Sequence, residues 1–337
     1  MPQIAATDSR KLPHIIKASQ GSRDLRQFLS DRREQIEGDL ATFGALLFRG
    51  FDVFSTQLFD AAMRAVSSKR LEYVYRSTPR TSLGDGVFTA TEYPPEESIG
   101  LHSENAYQRQ WPTKIAFCCL VPAVSGGETP IADVRRVTAR LNPELLERFE
   151  KKRVRYVRHY HPYIDLPWQT VFQVTDKRAL ANFCARADIH CEWLDEDILR
   201  TEQVCQGTAI HPITNEKLWF NQAHLFHSSA LSRDVEEALV GVFGRERLPR
   251  NAYFGDGEEI PIADLDAVRR VFWEEAMEFS WQPGDVLLLD NMQVAHGRKP
   301  FKGERKIVAA LLDPYDASAV LGLRASAVEK EDLCRAR

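Results

Sequence analysis

Residues 281–312 read WQPGDVLLLDNMQVAHGRKPFKGERKIVAALL. Gln282-Pro283-Gly284-Asp285 marks a turn, and 286–290 after it is an apolar run too short for a helix. Together with 279–281 before the turn it predicts a strand pair. Lys302-Gly303-Glu304 marks a second turn, and 306–312 beyond it is another apolar strand. His296 stands between them, the single imidazole of this block. Short strands punctuated by turns belong to a sandwich or barrel.

Working outward, the spacing of Leu25, Phe28, Leu29, Ile36 and Leu40 predicts an amphipathic helix over 23–42. Gly44 and Gly50 bound a buried strand, a second helix is expected over about 56–68, and 114–120 is strand-like. Asn142-Pro143 opens a helix with proline at its first position. Helices are predicted over 233–243 and 261–276, while 152–215 mixes short strands with aromatic-rich loops. No G-x-G-x-x-G follows a strand, which excludes a Rossmann arrangement. The expected fold is mainly β with helical additions, a jelly roll. Residues 1–40 read as a helical extension, 41–320 as a single domain with a helical insert at about 140–280, and 321–337 as a tail.

A 44% hydrophobic and 27% charged composition is that of a globular protein with a sizeable core. A formal net charge of −4 gives no broad cationic surface for nucleic acid or an anionic membrane. The N-terminus lacks the basic-then-apolar pattern of a signal peptide, and no apolar run reaches the ~20 residues that span a bilayer. The six cysteines form no C-x-x-C pair and read as reduced, buried thiols of a cytoplasmic protein.

The chemistry is concentrated in Gly100-Leu101-His102-Ser103-Glu104. Side chains two residues apart share one face of a strand. On a helix they would point roughly 200° apart. With His296 added, the set matches the two-His-one-carboxylate triad of non-haem iron(II) oxygenases, which leaves one side of an octahedral ion open. On spacing alone, the same residues also read as a surface H-x-E and a core histidine.

The chain resembles the TauD/TfdA superfamily of Fe(II)/2-oxoglutarate oxygenases over about residues 40–315, nearest the amino-acid hydroxylases of nonribosomal peptide biosynthesis. The likeness is carried by His102-Ser103-Glu104, Gly126-Gly127-Glu128-Thr129-Pro130, Trp219-Phe220-Asn221-Gln222, 251–257 and the 281–305 block. It implies a double-stranded β-helix with His102, Glu104 and His296 as iron ligands. Arg305, with Arg298 and Lys306 as competing cations, would pair with the distal carboxylate of 2-oxoglutarate, and Thr129 would hydrogen bond to it. A guanidinium fork matches such a carboxylate and keeps its charge. Relatives that halogenate carry a small residue in place of this glutamate, so Glu104 argues for oxygen transfer.

The implied reaction consumes O2 and 2-oxoglutarate, releases succinate and CO2, and hydroxylates an unactivated C–H bond, with the β-carbon of an amino acid, free or tethered to a peptidyl carrier protein, as the expected position. Desaturation or cyclisation by the same cofactors stays open. Asn105, Tyr107, Arg76 and Arg298 are the polar candidates for substrate contact.

His159-Tyr160-His161 with Asp165 offers a cupin-like alternative metal site, against which Pro162 and the aromatic neighbours suggest a loop or lid. His224 and His227 read as packing or hydrogen-bonding groups. Lys151, Lys152, Arg153, Arg155 and Arg158 form a basic cluster, a solvated face or a docking point for an acidic carrier.

Overall fold

The apolar runs become strands of two sheets. A computed structural model describes residues 12–317 apart from positions 20, 72, 73, 76, 78, 79, 85, 92 and 163. The larger sheet has the order His14–Lys17, Ala45–Arg49, Val286–Asp290, Gln110–Val121, Lys306–Asp316, Val87–Thr89. All its neighbours are antiparallel except the first pair. The smaller sheet has the order Ala276–Met277, Ile131–Asp133, Val294–Arg298, Ile99–His102. The core is a jelly roll of the double-stranded β-helix type.

Strand periodicity explains why the central strands look uniformly apolar. Ala45, Leu47, Ile115, Phe117, Leu287, Leu289, Ile307 and Ala309 pack in one cluster with Ile131 and Val294 of the smaller sheet. Their alternates Leu46, Phe48, Ala116, Cys118, Val286, Leu288 and Val308 pack outward against Leu25, Leu29, Ile36, Leu40, Phe59 and Met63. Those residues lie on the helices Leu25–Asp31, Arg33–Phe43 and Thr56–Val66. With both faces covered, neither can be polar.

Several expectations are corrected. The helix predicted over 23–42 breaks at Arg32, whose backbone leaves the helical region (φ −122°, ψ 26°). The N-terminal region also supplies the strand His14–Lys17, so it is not purely helical. Residues 279–281 are not half of a hairpin. The strand before them, Ala276–Met277, pairs with Ile131–Asp133, and the chain then crosses to the other sheet. The insert is built around a further sheet, in which Val154–Tyr160 lies between Arg250–Phe254 and Leu199–Cys205, with His190–Trp193 at the edge. Cys118, Cys119, Cys184 and Cys205 are free and buried, but Cys191 is disulfide-bonded, so the six thiols are not all reduced. Spacing along a chain does not reveal which thiols a fold brings together. The expected tail lies outside the described residues. No helix among the described residues is long and apolar enough to cross a membrane.

The crossing turn is anchored by charge. Asp285, fully buried, takes Arg49 Nε at 3.0 Å and Nη2 at 2.6 Å, and accepts the Gln282 N–H. Gly284 adopts φ 82°, and a Cβ there would stand 3.0 Å from the Phe51 carbonyl oxygen. Only glycine fits. Asp285→Ala would take the carboxylate from the Arg49 guanidinium, leaving it the Ser280 carbonyl alone, and lower the unfolding free energy by about 3 kcal/mol. Denaturant titration of wild type and variant measures this, and a change below about 1 kcal/mol would show the ion pair to be incidental.

Candidate metal centre

His102 and His296 stand directly opposite each other in the antiparallel pair Ile99–His102 and Val294–Arg298. Opposed residues of such a pair project to the same face, and the two rings lie 4.6 Å apart between centroids. Glu104 arrives differently from expectation. The strand ends at His102, and Glu104 sits in the following turn rather than on the same strand face. Asn105 holds φ 59° there, a left-handed conformation that bends the chain back. One ligand atom from each of the three residues lies within 4.8 Å of the others.

The turn owes its shape to buried side chains from distant segments. Asn291 accepts the Glu104 N–H at 2.6 Å and donates to the Glu104 carbonyl at 2.9 Å and that of Pro112 at 2.8 Å. Gln222 donates to the Ser103 carbonyl, Gln206 to those of Ala106 and Gln108, and the His224 ring lies 3.0 Å from that of Leu101. Such amides satisfy a buried turn whose backbone has no sheet partner.

The electrostatics suit cation binding. His102 Nδ1 sits 2.8 Å from the Gly100 carbonyl, which places the proton there and leaves Nε2 as the ligand atom of the neutral ring. Burial lowers the pKa of His102, offset in part by Glu104, and takes His296 well below its ordinary value, with His102 and Arg80 adding to the effect. Neutral imidazoles can ligate without first losing a proton. His296 Nε2 is 3.9 Å from Glu104 Oε2. The same oxygen takes Arg80 Nη2 at 2.6 Å, an ion pair buried on both sides. Arg80 was not anticipated. It lies in a polar, irregular stretch with no motif, and only the fold reveals its partner. An N2O ligand set on one side of a cleft fits a ferrous ion.

The cleft beside the triad is lined among others by Arg80, His102, Thr129, His296, Arg298 and Arg305. Arg305 is lowered to about 10 by burial first and then by the Arg298 charge, so it remains cationic at neutral pH. Its Nε donates to the Gly127 carbonyl at 3.1 Å. Gly127 is at φ 73°, and a Cβ there would lie 3.0 Å from Arg305 Cδ. Thr129, also buried, accepts a hydrogen bond from Trp281 Nε1 at 3.0 Å.

The substrate candidates fare unevenly. Arg298 lines the cleft, but its Nη atoms donate to the carbonyls of Tyr93, Pro94 and Glu97. Asn105 and Tyr107 are not among the lining residues, and the Tyr107 hydroxyl donates to the Tyr75 carbonyl within the core. Arg76 lies outside the described residues.

His159 and His161 form no metal site. His159 lies in the central strand Val154–Tyr160 rather than in a lid, because the strand ends before Pro162. Their ring nitrogens sit at the carbonyls of Leu248 and Arg247, 2.9 and 3.2 Å away, and Asp165 pairs with Arg250. His227 accepts the Ser229 N–H.

A family model described as "Taurine catabolism dioxygenase TauD, TfdA family" matches residues 8–311. The chain is 42% identical over 309 residues to the dapdiamide synthesis protein DdaC of Enterobacter agglomerans, covering 91% of this chain and 93% of that protein. It is 31% identical over 337 residues to a clavaminate synthase-like protein of Arabidopsis thaliana, covering 92% of this chain and 96% of that one. The solved structure of an asparagine oxygenase, in complex with Fe(II), 2S,3S-3-hydroxyasparagine and succinate, matches with a TM-score of 0.54 at 13% identity, covering 89% of this chain and 93% of that chain. At that identity the likeness speaks to fold alone.

Two outcomes follow from the buried charges. Arg80→Ala should cost about 3 kcal/mol of stability in the metal-free protein, because the carboxylate loses its counter-charge. Zn(II) should then raise the melting temperature of the variant by more than that of wild type, and equal rises would refute the pairing. His224, stacked on Phe272, is lowered to about 4 by burial. Its folded pKa lies below the unfolded value, so its contribution is complete above about pH 6.5 and is lost as pH falls toward 4. Between pH 7 and 5, wild type should lose about 2 kcal/mol more stability than His224→Gln, and identical urea midpoints across pH would contradict this.

Proposed function

Since the chain belongs to the taurine catabolism dioxygenase TauD, TfdA family, whose members are 2-oxoglutarate-dependent iron dioxygenases, we propose that it hydroxylates an unactivated C–H bond, at the β-carbon, of an amino acid used in specialised-metabolite biosynthesis. In this reading His102, Glu104 and His296 hold Fe(II), while Arg305 and Thr129 hold the distal carboxylate of 2-oxoglutarate. The observation that carries it is the convergence of two imidazoles and one carboxylate within 4.8 Å beside a cleft containing Arg305. The similarity to a dapdiamide synthesis protein supports the biosynthetic setting.

When bound, iron with 2-oxoglutarate and O2 supplies the oxidising chemistry, with succinate and CO2 as co-products. The chain contributes position and charge. His102, Glu104 and His296 would hold the ion, and a set of only three protein ligands would leave coordination positions open to cosubstrate and oxygen. Arg305, largely removed from water, offers a fixed donor fork to a carboxylate, and Thr129 adds a hydroxyl. Ile99, Phe117 and Ile307 form the apolar part of the cleft wall and limit water at the reacting carbon.

The substrate is an amino acid, free or carried by a peptidyl carrier protein. The basic cluster is a poor docking face for an acidic carrier. Lys151 pairs with Glu147, Lys152 with Asp256 and Glu258, and Arg155 bonds to the Gly255 carbonyl, while Arg158 is buried over the rings of Tyr75 and Tyr160.

Anaerobic titration with Fe(II) and 2-oxoglutarate tests the reading through the visible charge-transfer absorption of an iron-chelated keto acid. His102→Ala and His296→Ala should each abolish the absorption, and His159→Ala should leave it intact. Loss in His159→Ala alone would overturn the ligand assignment. Arg305→Leu should weaken 2-oxoglutarate binding roughly 10-fold or more, as expected for a lost charge-assisted bond, while sparing Fe(II) affinity. Succinate release screened over free and carrier-loaded amino acids identifies the substrate.

A further inference from the structure

We infer that Trp281 is a positioning residue that aims the Thr129 hydroxyl at the distal carboxylate of the cosubstrate, an inference that rests on the cosubstrate site proposed above. An indole N–H can only donate, whereas a hydroxyl has one proton and two acceptor lone pairs. Because Trp281 Nε1 donates to Thr129 Oγ1 at 3.0 Å, the bond has one polarity. The hydroxyl is the acceptor on that side, and its own proton must point elsewhere.

Thr129 is a buried residue of the same cleft as Arg305, and its β-branched side chain is stiff at χ1, which fixes Oγ1, while the Trp281 N–H occupies one of its acceptor positions. A carboxylate in the cleft is therefore offered a hydrogen by Thr129 as well as the Arg305 fork. Without the indole, the hydroxyl is free to rotate, and its lone pairs are as accessible to the cleft as its proton.

Trp281 does not line the cleft. It is half-buried behind Thr129, with its ring edge-on to Phe279 at 4.8 Å between centroids. Its place is set by its neighbour, since the Gln282 N–H donates to Asp285 Oδ2, the oxygen that also takes Arg49. A run of directed bonds thus leads from the Arg49–Asp285 ion pair to the Thr129 hydroxyl.

The test compares two keto acids on the anaerobic Fe(II) protein, 2-oxoglutarate and pyruvate, which shares the chelating head and lacks the distal carboxylate. Thr129→Val should raise the 2-oxoglutarate Kd roughly 10-fold or more, the loss of one hydrogen bond to a charged group, and Trp281→Phe roughly threefold to 10-fold, the range of one hydrogen bond between neutral groups. Neither should change the pyruvate Kd, and Trp281→Phe should add nothing in the Thr129→Val background. The inference is overturned if Trp281→Phe leaves 2-oxoglutarate binding unchanged, weakens pyruvate equally, or adds its full effect to Thr129→Val. If Thr129→Val and Arg305→Leu both leave 2-oxoglutarate binding intact, the cosubstrate site is misplaced and the inference falls with it. Should Trp281→Phe not fold, the wild-type Zn(II) protein carries the test. Its Trp281 indole N–H resonance should move with 2-oxoglutarate and not with pyruvate, and equal shifts or none would reject the inference.

Discussion

The opposition of His102 and His296 across one antiparallel pair is the constraint to which the rest of the site answers. A cross-strand pair fixes both Cα positions and the common direction of both side chains at once, without help from loops. Everything else must then bring a carboxylate to that pair and a cleft lined by Arg305 beside it. The two strands lie in the smaller sheet and face the larger one across a core of Ile115, Phe117, Leu287, Leu289 and Ile307, so the imidazoles are held in apolar surroundings. Desolvation there keeps the rings neutral and strengthens any charge placed among them.

A buried carboxylate in such a place is costly unless paired. Arg80 supplies the pair, and it does so from a segment that contributes no strand to the smaller sheet. The backbone that carries Glu104 is equally expensive to bury, being a turn with no ladder partner. Asn291, Gln222, Gln206 and His224 meet its polar groups from three separate parts of the chain. The site is preorganised by a shell of amides and a guanidinium larger than the triad itself, and such shells orient ligands and tune the ion they hold.

Much of this was legible beforehand. The period-two alternation on either side of Cys118 or Leu288 cannot be told from a plain apolar run, yet its length and flanking turns are enough to mark a strand. The His-x-Glu spacing pointed to residues that the fold does bring together, but for a partly wrong reason. It assumed a strand through Glu104, whereas a left-handed residue at Asn105 and an amide cage put the carboxylate in place. Arg298 drew attention as a cation near the triad, but its Nη atoms donate to the carbonyls of Tyr93, Pro94 and Glu97. The His159 and His161 pair looked like a ligand set, but each ring meets a carbonyl of the neighbouring segment.

By itself, the order of residues determined the apolar strands of the larger sheet, several of the turns between them and the spacing of His102, Glu104 and His296, while its likeness to a family pointed to the jelly roll and to Arg305. These rest on local patterning and on residue chemistry that survives any arrangement of the rest. Only the tertiary structure decided that Arg80 neutralises Glu104, that Asn291 frames it, that Trp281 reaches Thr129 and that the insert is built on a sheet. Each of these is a contact between segments with no periodic relation in sequence, set by which backbone groups were left unpaired when the two sheets closed.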